Sequence, residues 1–403
     1  MIEYEEARGL VLASAKALPA ESVPLAEAPG RTLARDIKAR EDIPPFTKAT
    51  MDGYAVMAED TRAAGGGRAV ELEVLEDLRA GRVSRIRVTP GRAVRIMTGA
   101  PLPGGADAVV MVEDTGKRGG RVEVRRRVRP GDNIGLAGED MKKGETVLER
   151  GAAIGPAETG LLAAAGFARV PVVVRPKLAV IATGDEIVEP GEKKTRGQIR
   201  NSNGPALTAM ARRAGAEARY LGIARDRKTS LDARIRRAKG ADILVLSGGV
   251  SVGDYDLVKD GLEAAGVRPV FWQVRIKPGK PVFFGRRGRQ IVFGLPGNPA
   301  SALVTFLLFV QPAIERMLGR ACPGPKEGRA ILEEDLVLKP GRTQFLRGLL
   351  GSTGPTLTAA PYPDQKSGVL RSMARSRVLI VVPADVSRME KGGEVGILYL
   401  DGG

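Results

Sequence analysis

The chain contains no histidine, one cysteine and few aromatic residues. Without His there is no imidazole general base, no His-containing triad and no imidazole metal ligand. With Cys322 alone there is no internal disulfide and no thiolate cluster for zinc or iron–sulfur. Cys322 precedes Pro323 and reads as a structural or boundary residue rather than a nucleophile. Phe, Trp and Tyr make up 4% of residues, too few for base-stacking platforms, so no nucleic-acid partner is expected. Asn occurs only at positions 133, 201, 203 and 298. Scarce amides beside abundant charge fit a heat-adapted chain. The longest apolar run, Ala302–Val310, falls far short of the roughly 20 residues that span a bilayer. The first six residues are acidic and carry no apolar signal core. A cytoplasmic protein without a membrane partner is expected.

Acid–base and metal chemistry must therefore fall to Asp, Glu, Lys, Ser, Thr or Tyr. Oxygen-only ligands favour a hard divalent cation such as Mg²⁺. The formal net charge of +16 gives a soluble surface and draws anionic ligands. At 403 residues with 43% hydrophobic content, two to four domains are expected.

Four regions follow from the pattern. Residues 4–18 have helical spacing, and 131–168 contain Pro-Gly turns and a helix from Pro156; together, 1–43 and 131–174 make one discontinuous linking domain. Residues 44–130 are short strands cut by Gly and Pro, a β-rich domain. Residues 175–319 alternate strand and helix, which predicts an α/β domain with a mostly parallel sheet and ligands at the C-terminal strand ends. Residues 320–403 return to short strands, a C-terminal β domain. The fold class is multi-domain α/β plus β.

The strand ends of the α/β region carry the chemistry. Ile243–Leu246 runs into Ser247-Gly248-Gly249, then Ser251, Asp254 and Asp256. A Gly-rich turn before a helix brings backbone N–H groups close to an anion. Carboxylates beside that anion call for a mediating cation, hence metal-assisted chemistry on a phosphorylated ligand. Thr183-Gly184-Asp185-Glu186 and Asp226 end two neighbouring strands, so several carboxylates are expected to converge. Each alone is also explained as a helix cap or solvated turn. Lys277-Pro278-Gly279-Lys280 pre-positions two ammonium groups for phosphate. Pro296-Gly297-Asn298-Pro299 opens the longest helix; Asn298 suits its cap, and its free N–H groups make a second anion cradle. Asn203 is read as the cap of the helix 203–214.

The segments PPFTKATMDGYAV, RIMTGAPLPGGADAVVMVED, GEDMKKGE, IATGDEIVEPG, IRNSN, SGGVSVGDYDLVK, IKPGKPVFFG and GLPGNPASA occur in order over most of the chain. Together they resemble the MoeA family of molybdopterin molybdenumtransferases, to which the gephyrin C-terminal domain is related. The resemblance is weakest after about residue 320. It implies a four-domain homodimer whose third domain is a MogA-like three-layer molybdopterin-binding domain, with the active site in a cleft against the partner's β-rich domain. It implies that adenylyl-molybdopterin and molybdate are substrates, that Mg²⁺ or a similar cation assists, that AMP leaves, and that a MogA-like adenylyltransferase is a partner. Asp52, Asp140, Glu186, Asp226 and Asp256 are the implied catalytic residues, with Glu186, Asp226, Asp254 and Asp256 toward the metal. Thr98, Thr183, Ser247, Gly248, Gly249, Ser251, Lys277, Lys280, Pro296 and Asn298 are implied in ligand binding. Of these, Lys277 and Lys280 would hold the pterin phosphate or attract molybdate, and Asp52, Thr98 and Asp140 would come from the partner subunit. The alternatives are a tungstate-using variant, a molybdopterin adenylyltransferase, which would need only residues 175–318, and a non-catalytic scaffold.

Overall fold

The strands Lys177–Thr183 and Ile243–Ser247 are almost wholly buried, as unbroken apolar runs in a parallel sheet should be. In the structure, a computed structural model describing residues 1–249 and 257–400, they lie side by side in a six-stranded sheet. Its order is Glu217–Ala224, Lys177–Thr183, Ile243–Ser247, Gln290–Leu295, Phe283–Arg287 and Arg268–Trp272. The first four strands are mutually parallel; Phe283–Arg287 joins Gln290–Leu295 antiparallel through the expected 286–289 turn, and Arg268–Trp272 pairs antiparallel with Phe283–Arg287.

The longest helical run, Pro299–Met317, fills the core on one face of this sheet, and 83% of its apolar window is buried. By length and composition alone it would cross a membrane; its burial makes it a core helix. Its middle, Phe306–Val310, is π-helical and fully buried. The N-terminal helix Tyr4–Ser14 packs here, through Ala7 and Val11, rather than on the linking region with which the sequence grouped it. Tyr4 meets Phe309 and Phe345 edge-on, at 5.9 and 5.1 Å between centroids. That helix ends at Ser14, short of the expected Leu18, whose N–H donates to Met317 O.

Residues 20–39 and 146–173 share one core, including Val23, Leu33, Ile37, Val147, Leu162 and Val172. The strand Ala20–Pro24 pairs antiparallel with Arg169–Val173. The β-rich region forms a second six-stranded sheet, in which Gly53–Val56 lies between Ala108–Met111 and Arg92–Ile96. After residue 319, the strands Thr343–Thr353, Thr356–Pro361, Glu327–Leu332, Glu394–Tyr399 and Val378–Val382 pair in sequence, and the last returns to the first. This closes a small barrel and removes its edges. Ile276–Lys277 adds parallel to Thr343–Gln344, so a piece of the α/β region belongs to the barrel's sheet.

Phe309 is fully buried where the N-terminal helix, the core helix and Phe271 meet. Phe309→Ala is expected to destabilise the chain by about 3–5 kcal/mol. Urea unfolding followed by fluorescence checks this, and a change below about 1 kcal/mol would contradict the packing.

Candidate active site

A cavity of about 400 Å³ opens at the C-terminal ends of the parallel strands, where an open α/β sheet binds ligands. Its walls include Thr183, Glu186, Ser247, Gly248, Gly249, Pro296 and Asn298, seven of the residues named from sequence. The chain brings them together by strand register and then ties them. Thr183 Oγ1 donates to Ser247 O at 3.3 Å. Gly248 N–H donates to Leu295 O at 3.1 Å. Gly248 has φ +97°, and a Cβ there would lie 2.6 Å from Thr183 O, so the close approach needs glycine.

Asn203 does not cap its helix. Ser202 holds the cap position, and Asn203 Nδ2 donates across to Ser247 Oγ (2.9 Å) and Gly297 O (2.8 Å). Asn201 Nδ2 donates to the Tyr220 hydroxyl at 2.6 Å, and that hydroxyl donates to Glu189 Oε1 at 2.7 Å. Burial, then this hydrogen bond to Glu189, pushes the Tyr220 phenol up, so it stays protonated as a donor. Arg200, Asn201, Ser202 and Asn203 all line the cavity, and sequence reasoning assigned none of them a binding role.

A second chamber of about 730 Å³ adjoins the first and shares Pro281, Pro296 and Asn298 with it. Lys277 and Lys280 line it, together with Arg342, Arg347 and Lys366 from the barrel. The lysines are exposed, whereas Arg347 is 1% exposed. Arg347 Nε donates to Ser372 Oγ at 3.1 Å and Nη2 to Lys366 O at 3.1 Å, so it shapes the 364–367 loop. Burial pulls its pKa down from the ordinary value. These barrel residues were missed because only the folded chain sets them beside the lysines.

The helix start at Pro299 is not the free anion cradle expected. Asn298 makes no side-chain cap, Pro299 has no N–H, and Ala300 N–H donates to Ser367 O at 3.0 Å. Nor do the described acids converge. Asp226 lies beside Asp185, each carboxylate accepting the other's backbone N–H at 3.2 Å, and only Glu186 lines the cavity. Ser251, Asp254 and Asp256 lie outside the described residues. Among the described residues no three acidic side chains form a metal cage. A single carboxylate on the wall fits a cation that arrives with phosphate oxygens, the usual habit of Mg²⁺.

Asp52, Thr98 and Asp140 line neither cavity. Asp52 Oδ1 accepts from both the N–H and the hydroxyl of Thr98, each at 2.7 Å. The Thr98 hydroxyl and then its N–H hold the Asp52 carboxyl below its usual range. Asp140 is exposed, its backbone N–H on Ile43 O.

Residues 2–166 match the model of the MoeA N-terminal region (domain I and II), 179–316 a probable molybdopterin binding domain, and 329–400 the MoeA C-terminal region (domain IV). The chain belongs to the MoeA family. Among its MoeA relatives, the molybdopterin molybdenumtransferase of Staphylococcus aureus strain Mu50 is 36% identical over 99% of this chain and 96% of its own length. That of Bacillus subtilis strain 168 is 38% identical over 94% and 90%. The crystal structure of the molybdopterin biosynthesis MoeA protein from Pyrococcus horikoshii OT3 superposes with a TM-score of 0.84 at 35% identity, covering 99% of this chain and all of that one.

Because the folded Asp52 pKa is depressed, its contribution to stability is present above the ordinary Asp pKa and lost as pH falls through the folded value. Thr98→Val is expected to raise the Asp52 pKa toward its ordinary value and to narrow that acid-side loss. A carboxyl carbon NMR titration reads the shift, and an unchanged Asp52 titration would contradict the assignment.

Proposed function

We propose that the chain inserts molybdenum in molybdenum cofactor biosynthesis. It takes adenylyl-molybdopterin and molybdate, cleaves the phosphoanhydride, releases AMP and places molybdenum on the two dithiolene sulfurs. The carrying observation is the adjoining pair of chambers, one with Glu186 and the strand-end loops, the other ringed by Lys277, Lys280, Arg342, Arg347 and Lys366. Relatives named molybdopterin molybdenumtransferase over nearly the whole length support the same reading.

In this reading the cationic chamber draws the oxyanion and the pterin phosphate. Ser247, Gly248, Gly249, Asn201 and Asn203 form the pterin-side wall, and Glu186 faces the phosphoanhydride. Glu186, with Asp226, Asp254 and Asp256, would hold Mg²⁺, which neutralises phosphate charge when bound. Asp52, Thr98 and Asp140 are proposed to reach the site from the partner subunit of a homodimer, since they line neither cavity of their own chain. Its adenylylated substrate calls for an adenylyltransferase partner, and a cytoplasmic setting belongs to the same proposal.

Purified protein is expected to release AMP from adenylyl-molybdopterin only when molybdate and Mg²⁺ are both present. No release under those conditions overturns the proposal, and repeating the assay with tungstate assigns the oxyanion. Two inactive variants, Asp52→Asn and Glu186→Gln, test the shared site. If sites are built across a two-fold dimer, a randomised equal mixture recovers about a quarter of wild-type activity, because half of the molecules are heterodimers with one intact site. No recovery means that each site uses one chain.

A further inference from the structure

Arg225 follows the strand Glu217–Ala224, and its side chain turns toward the neighbouring strand end. One guanidinium nitrogen, Nη1, lies 2.8 Å from Ile187 O, 3.2 Å from Asp185 O and 3.4 Å from Gly184 O. Three carbonyls of one turn therefore point at a single cationic nitrogen. Its own backbone N–H donates to Ser230 Oγ at 3.0 Å, which anchors the donor. The reciprocal bonds between Asp185 and Asp226 close the same turn from the other side.

The turn delivers Glu186. Gly184 has φ +139°, and a Cβ there would lie 2.3 Å from Glu186 Oε2, so the carboxylate folds back over Gly184 on the cavity wall. Among the described residues no hydrogen bond or ion pair holds that carboxylate. Its position rests on the backbone shape of 184–187, which Arg225 holds together with Gly184 N–H on Ala224 O (3.1 Å) and Ile199 N–H on Glu186 O (2.8 Å). We propose that Arg225 is a positioning residue that clamps the 184–187 turn and so sets the Glu186 carboxylate on the cavity wall. The carboxylates of Asp185 and Asp226 then serve as the second half of the clamp. This deepens the proposed function and rests on it only for its kinetic readout.

The clamp makes an unusual demand on substitution. A guanidinium nitrogen has two hydrogens for three carbonyls, whereas an ammonium has three. Lysine therefore offers the right number of donors, but its ammonium sits one bond short of Nη1, so it replaces this arginine only in part. The test compares full-length wild type, Arg225→Met and Arg225→Lys, by AMP release and by amide hydrogen exchange across 184–199. Ile199 N–H, which donates to Glu186 O at 2.8 Å, reports the turn directly. Arg225→Met is expected to speed exchange at Asp185 and Ile199 and to lower kcat by roughly 10- to 100-fold through misplacement, with KM within about twofold. Arg225→Lys, which keeps the charge on a shorter side chain, should recover part of both. Wild-type exchange in Arg225→Met, or a change in KM alone, would each overturn the proposal. Should Arg225→Met fail to fold, Gly184→Ala displaces Glu186 with Arg225 in place and must show the same kcat loss. If the wild type itself releases no AMP, the functional reading fails while the exchange comparison still decides the clamp.

Discussion

Everything at the candidate site depends on the register of three adjacent parallel strands. Ala182 is level with Ser247, and Ser247 with Leu295. Parallel strands with a common level end together, so Thr183–Glu186, Ser247–Gly249 and Pro296–Asn298 leave the sheet at one edge. Burial on both faces fixes that level, because a slip by one residue would reverse the faces of every side chain in Ile243–Ser247. The side-chain bonds from Thr183 and Asn203 form because the register has already brought the loops within reach.

The second constraint is that the lysine loop belongs to two regions at once. Ile276 is fully buried in the central core, yet it pairs with Thr343 of the barrel. Lys277 and Lys280 are thereby fixed relative to both walls. Arg347 sits opposite, and Gln365 ties the loop facing it, accepting the Arg347 N–H at 3.1 Å and donating to Arg347 O at 2.8 Å. Ala300 N–H on Ser367 O completes the seam between the core helix and this loop.

This division explains what could be read from the sequence. The α/β alternation was legible because the central strands are buried apolar runs, so Lys177–Thr183, Ile243–Ser247 and the 283–295 hairpin stand where the pattern places them. The motif loops were legible for the same reason, since strand ends announce themselves. Asn203 was misread because a cap and a cross-loop tie require the same residue at the same place, and only the distance to Ser247 Oγ separates them. The helix Tyr4–Ser14 was grouped by chain position, whereas its docking is set by Tyr4 meeting Phe309 and Phe345, more than 300 residues away. Arg225 and Arg347 carry no local signal, because arginines are common in this chain and their carbonyl partners come from other segments.

The distribution of charge then follows from the chemistry of each group. In the proposed reaction both reactants are anions, and two unit charges about 4 Å apart cost roughly 4 kcal/mol near a protein surface. Bringing them together therefore needs several cations, and these must keep their charge. Lysine loses its proton readily when buried, so Lys277 and Lys280 work from exposed positions. Arginine tolerates burial while staying charged, so the one fully buried cation on that wall is Arg347. Glu186, placed among these cations, would form an ion pair and cancel part of their field. It lies instead in the adjoining cavity, and the wall shared by the two chambers, Pro281, Pro296 and Asn298, carries no charge. The larger chamber also holds Asp364, 3.9 Å from Lys366, but five cations against one carboxylate leave its field attractive to anions. Arg200 likewise lines the cavity of Glu186, with no ion pair between the two among the described residues.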